Sequence, residues 1–194
     1  EYFAHVMSIP NRIPGAFVEL GFGKGNSCNF VVKLMNDGLL DKRDIWIYDS
    51  FEGFPEPTPE DTSPRNATKG EHRWPIDPAL DIKDKISTNV EVVKGFVEDT
   101  LPHSYAGGDI AVLHIDLDLY SGYKTALNSL YDKVIKGGVI LFDEYKSPRQ
   151  LRSWPGASLA VDEFFFLRKI EPSIEMGLFP FPREAMQKFF MIKK

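Results

Sequence analysis

The chain has 194 residues, 43% of them hydrophobic, which is enough for one domain over residues 1–194 with a sizeable core. A net charge of −5 with scattered basic residues argues against a nucleic-acid partner, and the single cysteine, Cys28, excludes an internal disulfide and a thiolate zinc site. No apolar run approaches the ~20 residues that cross a bilayer, and no signal-peptide pattern is visible, so we expect a cytoplasmic protein without a membrane partner.

Short apolar runs predict the strands of the chain. They do not alternate between apolar and polar residues, which is typical of strands buried on both faces of a parallel sheet. Because helix-length segments separate them, we expect an open, mostly parallel α/β sheet with helices on both faces. The predicted strands are, in chain order, 16–20, 45–48, 90–93, 112–115 and 139–142.

Three segments predict helices. Segment 27–35 directly follows a glycine cluster, and segment 157–168 has an apolar face. The third helix is predicted over 120–134, where apolar residues recur at helical spacing, and Gly137 and Gly138 follow its end.

Two further segments interrupt the alternation of strands and helices. Segment 55–78 contains six prolines and few apolar residues, which predicts an irregular, lid-like loop. Segment 173–194 contains Phe179, Pro180, Phe181 and Pro182, followed by the apolar run 189–192. We interpret it as an antiparallel hairpin that closes one edge of the sheet.

A glycine-rich loop follows the first predicted strand. Gly21, Gly23 and Gly25 lie between Glu19, at the strand end, and Ser27, at the start of a helix. Such glycines allow a ligand to approach the backbone, and a helix N-terminus favours a negative group. The Gly-x-Gly-x-Gly spacing differs from the dinucleotide pattern and favours the methionine end of S-adenosylmethionine. The alternative is a tight glycine turn without a ligand.

Asp49 ends the second predicted strand, 24 positions after Gly25. An acid at that place accepts hydrogen bonds from ribose hydroxyls, which strengthens the prediction of a nucleoside-type cofactor. We therefore expect Asp49 and the adjacent Ser50 to bind the cofactor. The following aromatic segment either flanks the ligand or forms an apolar cap under the proline-rich loop.

Acidic residues end the next two apolar runs. Asp116 and Asp118 follow one run, and Asp143 and Glu144 follow the other, with Asp116 and Asp143 27 positions apart. Because parallel strands end at one edge of a sheet, these carboxylates can converge. Their mutual repulsion calls for a cation or a shared proton, and oxygen ligands favour Mg²⁺. The alternative is that Asp143 or Glu144 caps a helix.

Three other reactive side chains have simpler interpretations. His114 lies within an apolar run and is predicted to be a hydrogen-bonded core histidine rather than a ligand. Cys28 is predicted to be buried. His72 lies in the proline-rich loop, and we expect a solvated surface position, with substrate contact as the alternative.

Five segments together make the chain resemble the macrocin O-methyltransferase family, which methylates sugar hydroxyls in antibiotic biosynthesis. The resemblance spans about residues 16 to 166. The segments are 49–55 (DSFEGFP), 95–102 (GFVEDTLP), 115–120 (IDLDLY), 137–145 (GGVILFDEY) and 160–164 (AVDEF).

The resemblance implies a class I methyltransferase fold of the Rossmann-like type, an S-adenosylmethionine site and a Mg²⁺ ion. It assigns Glu19, Gly21 and Asp49 to the cofactor, and Gly95 and Phe96 to the surroundings of the adenine. It assigns the metal to Asp116, Asp143 and Glu144. The chain departs from the family pattern, which has glycine at position 117 and aspartate at position 144.

We therefore predict an S-adenosylmethionine-dependent methyltransferase that acts on a hydroxyl of a sugar or another small natural product. Asp116 or Asp118 is the candidate base, and the divalent cation assists deprotonation. Asp116 is also expected to contact the cofactor. Three alternatives remain open: a nicotinamide-dependent oxidoreductase, a binding module without activity, and a metal-independent methyltransferase with another acceptor. The sequence leaves a homodimer open.

Overall fold

The computed structural model describes residues 2–180 and 185–194, and its strands form one seven-stranded sheet. Five of the strands follow the apolar runs of the sequence. In chain order the strands are β1 (Ala16–Leu20), β2 (Ile45–Asp49), β3 (Val90–Lys94), β4 (Ile110–Ile115), β5 (Val134–Phe142), β6 (Ile174–Pro180) and β7 (Ala185–Ile192).

Helices connect the strands. They are α1 (Tyr2–Ser8), α2 (Asn26–Asn36), α3 (Asp77–Leu80), α4 (Val97–Ser104), α5 (Tyr120–Leu130), α6 (Pro148–Ser153) and α7 (Pro155–Arg168). Within the described residues, none of these helices combines the length and the apolar character that a membrane crossing requires.

The strand order is β3-β2-β1-β4-β5-β7-β6. The first five strands in this order are parallel, whereas β7 pairs antiparallel with both β5 and β6. The chain runs from β1 outward to β2 and β3, and then returns to place β4 on the other side of β1. Ligands of open α/β sheets bind at such a reversal, outside the carboxyl ends of the strands.

Successive side chains of a strand point to opposite faces, so the sheet separates two hydrophobic clusters. Val18 of β1 belongs to the cluster that contains Tyr123 of α5 and Phe164 of α7. Its neighbour Phe17 belongs to the cluster that contains Val6 of α1 and Val31 of α2. Helices therefore cover both faces, as predicted.

The five strand predictions are confirmed, but the predicted helix 120–134 is wrong at its end. The α-helix ends at Leu130, a 3-10 turn covers Tyr131–Lys133, and Val134 begins β5. Val134 continues the helical spacing of apolar residues, but the structure buries it as the first residue of a strand. Gly137 has a φ of +81° inside β5 and does not end a helix.

The proline-rich segment and the C-terminal hairpin follow their predictions. Segment 55–78 is irregular apart from a 3-10 turn at Pro59–Asp61 and the start of α3. Strands β6 and β7 form an antiparallel hairpin at the sheet edge. Phe181 and Pro182, which we expected within this hairpin, lie outside the described residues.

Candidate active site

The glycine loop turns sharply between β1 and α2. Gly21 has a φ of +89°, and a Cβ atom at this position would lie 1.8 Å from the main-chain oxygen of Asp116. Gly25 has a φ of +76° and precedes α2, and an added Cβ would lie 2.4 Å from the ring of Phe22. Both positions therefore exclude a side chain for conformational and steric reasons.

Asp49 holds this loop in place from the end of β2. Its Oδ2 atom accepts hydrogen bonds from the main-chain N–H groups of Phe22 and Gly23, at 2.8 and 3.0 Å. Its Oδ1 atom accepts one from Phe51 N–H at 2.7 Å. Since a carboxylate oxygen can accept about two hydrogen bonds, Oδ1 has capacity for one more donor.

A cleft opens beside the loop, at the carboxyl ends of β1, β2 and β4. Seven of the predicted site residues line it: Gly21, Gly23, Asp49, Ser50, Phe96, Asp116 and Asp118. The other lining residues are Gly53, Phe54, Pro55, His72, Trp74, Val97, Glu98, Leu117, Leu119 and Gly122. The remaining predicted residues, Glu19, Gly25, Ser27, Gly95, Asp143 and Glu144, do not line this cleft.

Three of the predicted residues are held by the main chain around the cleft or lie next to it. Gly95 has a φ of +138° and donates its N–H to the main-chain oxygen of Asp49 at 3.0 Å. Ser50, at the cleft surface, donates its hydroxyl to the main-chain oxygen of Gly53 at 2.7 Å. Ser27 lies in the first turn of α2.

Glu19 is buried beneath the glycine loop, with 1% of its surface exposed. Its Oε1 atom lies 3.2 Å from Nδ1 of His114, and its Oε2 atom has no hydrogen-bond partner among the residues that the structure describes. Burial raises the pKa of Glu19. The prediction of a buried, hydrogen-bonded His114 is confirmed, and Cys28 is buried as well.

His114 also lies in a potential metal site with Asp116 and Asp143. One ligand atom from each residue lies within 4.8 Å of the others. The strand ends thus bring the two predicted carboxylates together, because β4 and β5 are parallel neighbours. The pKa of Asp116 is raised to about 7, first by burial and next by the charge of Asp143.

Glu144 is not a member of this group within the described residues. Its carboxylate points toward α5 and accepts a hydrogen bond from the Tyr123 hydroxyl at 2.8 Å. The same hydroxyl accepts a bond from the Glu144 N–H at 3.1 Å. Burial, followed by the charge of Asp143, raises the pKa of Glu144 well above its usual value.

Asp118 faces the cleft with a strained backbone. Its φ of +61° lies in the left-handed region, which costs a residue with a side chain about 1–3 kcal/mol and occurs often at functional sites. Burial raises its pKa well above the usual value, and the charges of Asp116 and Asp143 add to this effect.

Lys188 of β7 is a residue of this site that no sequence pattern indicated. Its ammonium group forms an ion pair with the Asp143 carboxylate and donates to the Asp143 main-chain oxygen at 3.1 Å. A basic residue beside an apolar run gave no sign of which acid it would meet, since that depends on the register of the hairpin.

Aromatic residues form the outer wall of the cleft. Phe54 lies 4.9 Å from His72 and 5.5 Å from Trp154, measured between ring centroids. The guanidinium of Arg65 lies 4.3 Å from the Trp154 ring centre, and one of its nitrogens lies 3.0 Å from Nε2 of His72. His72 is exposed, as predicted, but it also lines the cleft.

The chain is similar in sequence to known O-methyltransferases. A demethyldecarbamoylnovobiocin O-methyltransferase from Streptomyces niveus is 30% identical over 165 residues, which are 80% of this chain and 60% of that protein. The chain spans 55% to 60% of the length of the curated relatives it matches.

Two solved structures share the fold. The calicheamicin methyltransferase CalS11 superposes with a TM-score of 0.73 at 24% identity, over 93% of this chain and 73% of that one. The O-methyltransferase NovP gives a TM-score of 0.72 at 25% identity, over 99% of this chain and 78% of that one. The predicted class I methyltransferase fold is therefore confirmed.

A family model matches the sequence as well. The model described as Macrocin-O-methyltransferase (TylF) matches residues 4–176, which are most of the chain. This match agrees with the motifs identified in the sequence and with the topology of the sheet. The chain belongs to the macrocin O-methyltransferase family.

Proposed function

We propose that this protein is an S-adenosylmethionine-dependent methyltransferase that acts on a hydroxyl group of a sugar or another small natural product. One observation carries the proposal: the same cleft contains the glycine loop with Asp49 and the acids at the end of β4. A cofactor site and a group able to take a proton thus adjoin each other. The names of the relatives support the same reaction class.

The cleft has the chemistry that the cofactor requires. Gly21 and Gly23 expose their main chain to the cleft, so a ligand can approach the backbone closely, and the free capacity of Asp49 Oδ1 suits a ribose hydroxyl. Phe96 offers a ring face near the position proposed for adenine. The cofactor supplies a methyl group on a positively charged sulfonium, and the surrounding acids favour that charge.

We assign Glu19, Gly25 and Ser27 indirect parts in cofactor binding. Gly25 allows the turn that leads into α2, and Ser27 lies in the first turn of this helix. Glu19 lies under the loop, bonded to His114. A substitution at Glu19 is therefore expected to act through the position of the loop.

Asp116 and Asp143 are the residues that we expect to hold a divalent cation, with His114 as a third ligand and Glu144 beside them. A histidine that uses one ring nitrogen for a carboxylate and the other for a metal is a common arrangement. The two carboxylates suit Mg²⁺ or Mn²⁺, and the imidazole shifts the preference toward Mn²⁺. Such an ion would lower the pKa of a coordinated hydroxyl.

The substrate proton is assigned to Asp118. A free sugar hydroxyl does not ionise near neutral pH, so a base with a raised pKa is needed at the cleft. If Asp116 binds the cation, a carboxylate oxygen of Asp118 is the remaining candidate on the same loop. Asp118 lines the cleft, where the hydroxyl would lie.

The aromatic wall is the proposed place for the acceptor. Phe54 lines the cleft and offers an apolar contact for a sugar, and His72 adds a polar edge. Trp154 packs edge-to-face against Phe54 and supports its position. We propose that segment 55–78, which directly follows Phe54 and contains His72, acts as a lid that excludes water during methyl transfer.

A transfer assay tests this proposal. Methyl-labelled S-adenosylmethionine is incubated with the protein, Mg²⁺ and a panel of glycosylated natural products, and labelled products are identified by mass spectrometry. We expect transfer to a hydroxyl and a loss of about 100-fold or more in Asp118→Asn, the usual size for a lost base. Asp162→Asn, on the outer helix α7, is the control. Full activity of Asp118→Asn would refute the assignment of the base, and an absence of transfer would refute the proposed reaction.

A further inference from the structure

Lys188 joins the C-terminal hairpin to the acidic residues at the end of β5. Its side chain is largely buried, with 13% of its surface exposed. Its ammonium group contacts both the carboxylate and the main-chain oxygen of Asp143. A lysine that is held by two oxygens of one residue and shielded from water has a fixed position rather than a mobile surface one.

The ammonium group balances a concentration of negative charge. Asp116, Asp118, Asp143 and Glu144 all interact electrostatically with one another. Buried acids of this kind are unfavourable unless a cation accompanies them. Lys188 supplies that cation from within the chain, next to the acid that also belongs to the potential metal group.

A divalent cation held by His114, Asp116 and Asp143 would have to share the Asp143 carboxylate with this ammonium group. Two cations a few ångströms apart repel each other strongly where water is scarce. The two are therefore competitors for one carboxylate.

We propose that Lys188 is the resident counter-ion of the metal-free site and that a divalent cation binds by displacing it from Asp143. The inference rests on the metal site of the proposed function. It assigns the C-terminal hairpin a part in setting metal affinity, because β7 carries the competing charge. The expected consequence is that wild-type protein binds the ion less tightly than its three ligands would allow.

The test measures metal binding without cofactor or acceptor. Mn²⁺ and Mg²⁺ are titrated calorimetrically into wild type, Lys188→Gln, Lys188→Met and Lys188→Arg. Lys146→Met is the matched control, since Lys146 pairs with Asp162 outside the acidic group. We expect both neutral variants to bind Mn²⁺ about tenfold more tightly than wild type, because one adjacent positive charge is gone. Lys188→Arg and the control should stay within about threefold of wild type.

Thermal unfolding provides a second measurement in case the neutral variants are unstable. Without metal, Lys188→Gln should unfold several degrees below wild type, and saturating Mn²⁺ should raise its Tm by more than it raises that of wild type. Equal or weaker Mn²⁺ binding by the neutral variants would overturn the inference. Binding by Lys188→Arg as tight as that by Lys188→Gln, or no metal binding by any variant, would do the same.

These outcomes are separate from the test of the proposed function. Methyl transfer by wild type together with unchanged metal affinity in the variants would reject only the role of Lys188. Tighter metal binding in the neutral variants without methyl transfer would reject only the proposed reaction.

Discussion

Replacement of Asp49 by asparagine is expected to loosen the glycine loop and weaken cofactor binding together. The carboxylate accepts three main-chain hydrogen bonds, from Phe22, Gly23 and Phe51. Bonds to a charged group contribute about 1.5–3 kcal/mol each, against about 1 kcal/mol for neutral bonds. An asparagine oxygen turned toward Phe22 and Gly23 keeps two neutral bonds, but its amide group then faces the N–H of Phe51.

The lost bond and the two weakened bonds sum to about 2.5–7 kcal/mol, and we expect the lower part of this range, about 2.5–4 kcal/mol, because the three bonds are only partly buried. For a chain of this size that corresponds to a fall of about 5–15 °C in Tm. Asp44→Asn is the matched control at the other end of β2, where a single exposed bond from Asn89 N–H at 3.1 Å is affected.

Calorimetry with S-adenosylmethionine and thermal unfolding measure both effects. We expect Asp49→Asn to bind the cofactor at least about tenfold more weakly, the usual cost of a lost supporting partner. The control should retain affinity and stability. Equal Tm values and equal affinities for the two variants would show that Asp49 neither holds the loop nor contacts the ligand.

The other predictions concern the glycine loop and the proline-rich segment. Gly21→Ala should lower the free energy of unfolding by about 3–5 kcal/mol, since it combines backbone strain with overlap on the Asp116 carbonyl. Gly38→Ala, at φ +73° with free space around the added Cβ, should lower it by about 1–2 kcal/mol. Chemical denaturation measures both variants, and equal losses would contradict the steric argument. The pKa of Glu71 is lowered to about 2, first by its bond from Arg65, so the stability that this acid contributes is present above pH 4.5 and is lost as the pH falls toward 2. A carbon NMR titration should place its midpoint near 2 and move it upward in Arg65→Met, and a wild-type midpoint near 4.5 would contradict the ion pair.

The central sheet could be predicted from the sequence because strands that are buried on both faces of a parallel sheet consist of uninterrupted apolar residues. Each such run, including 16–20 and 112–115, became a strand of the central sheet. The end of α5 was misjudged since burial continues across the boundary: Leu130 is buried in a helix and Val134 in a strand. Periodicity alone does not separate these two environments over a few residues.

Because parallel strands end at the same edge of a sheet, the sequence also predicted which acids lie together at that edge. Asp49 and Asp116 both reach the cleft, although β1 separates β2, which ends at Asp49, from β4, which Asp116 follows. What the sequence did not reveal is the direction of individual side chains. Glu144 points to Tyr123, and Lys188 reaches Asp143 from an antiparallel strand. Both depend on register, which a shift of one residue would reverse.

The most direct measurement is calorimetric titration of the wild-type protein with S-adenosylhomocysteine and, separately, with NAD. We expect saturable binding of S-adenosylhomocysteine at one site per chain and no heat of binding with NAD, because we propose that the loop and Asp49 bind a single nucleoside with an amino acid attached. Binding of NAD, or a lack of binding of S-adenosylhomocysteine, would contradict the cofactor site on which the proposed reaction depends.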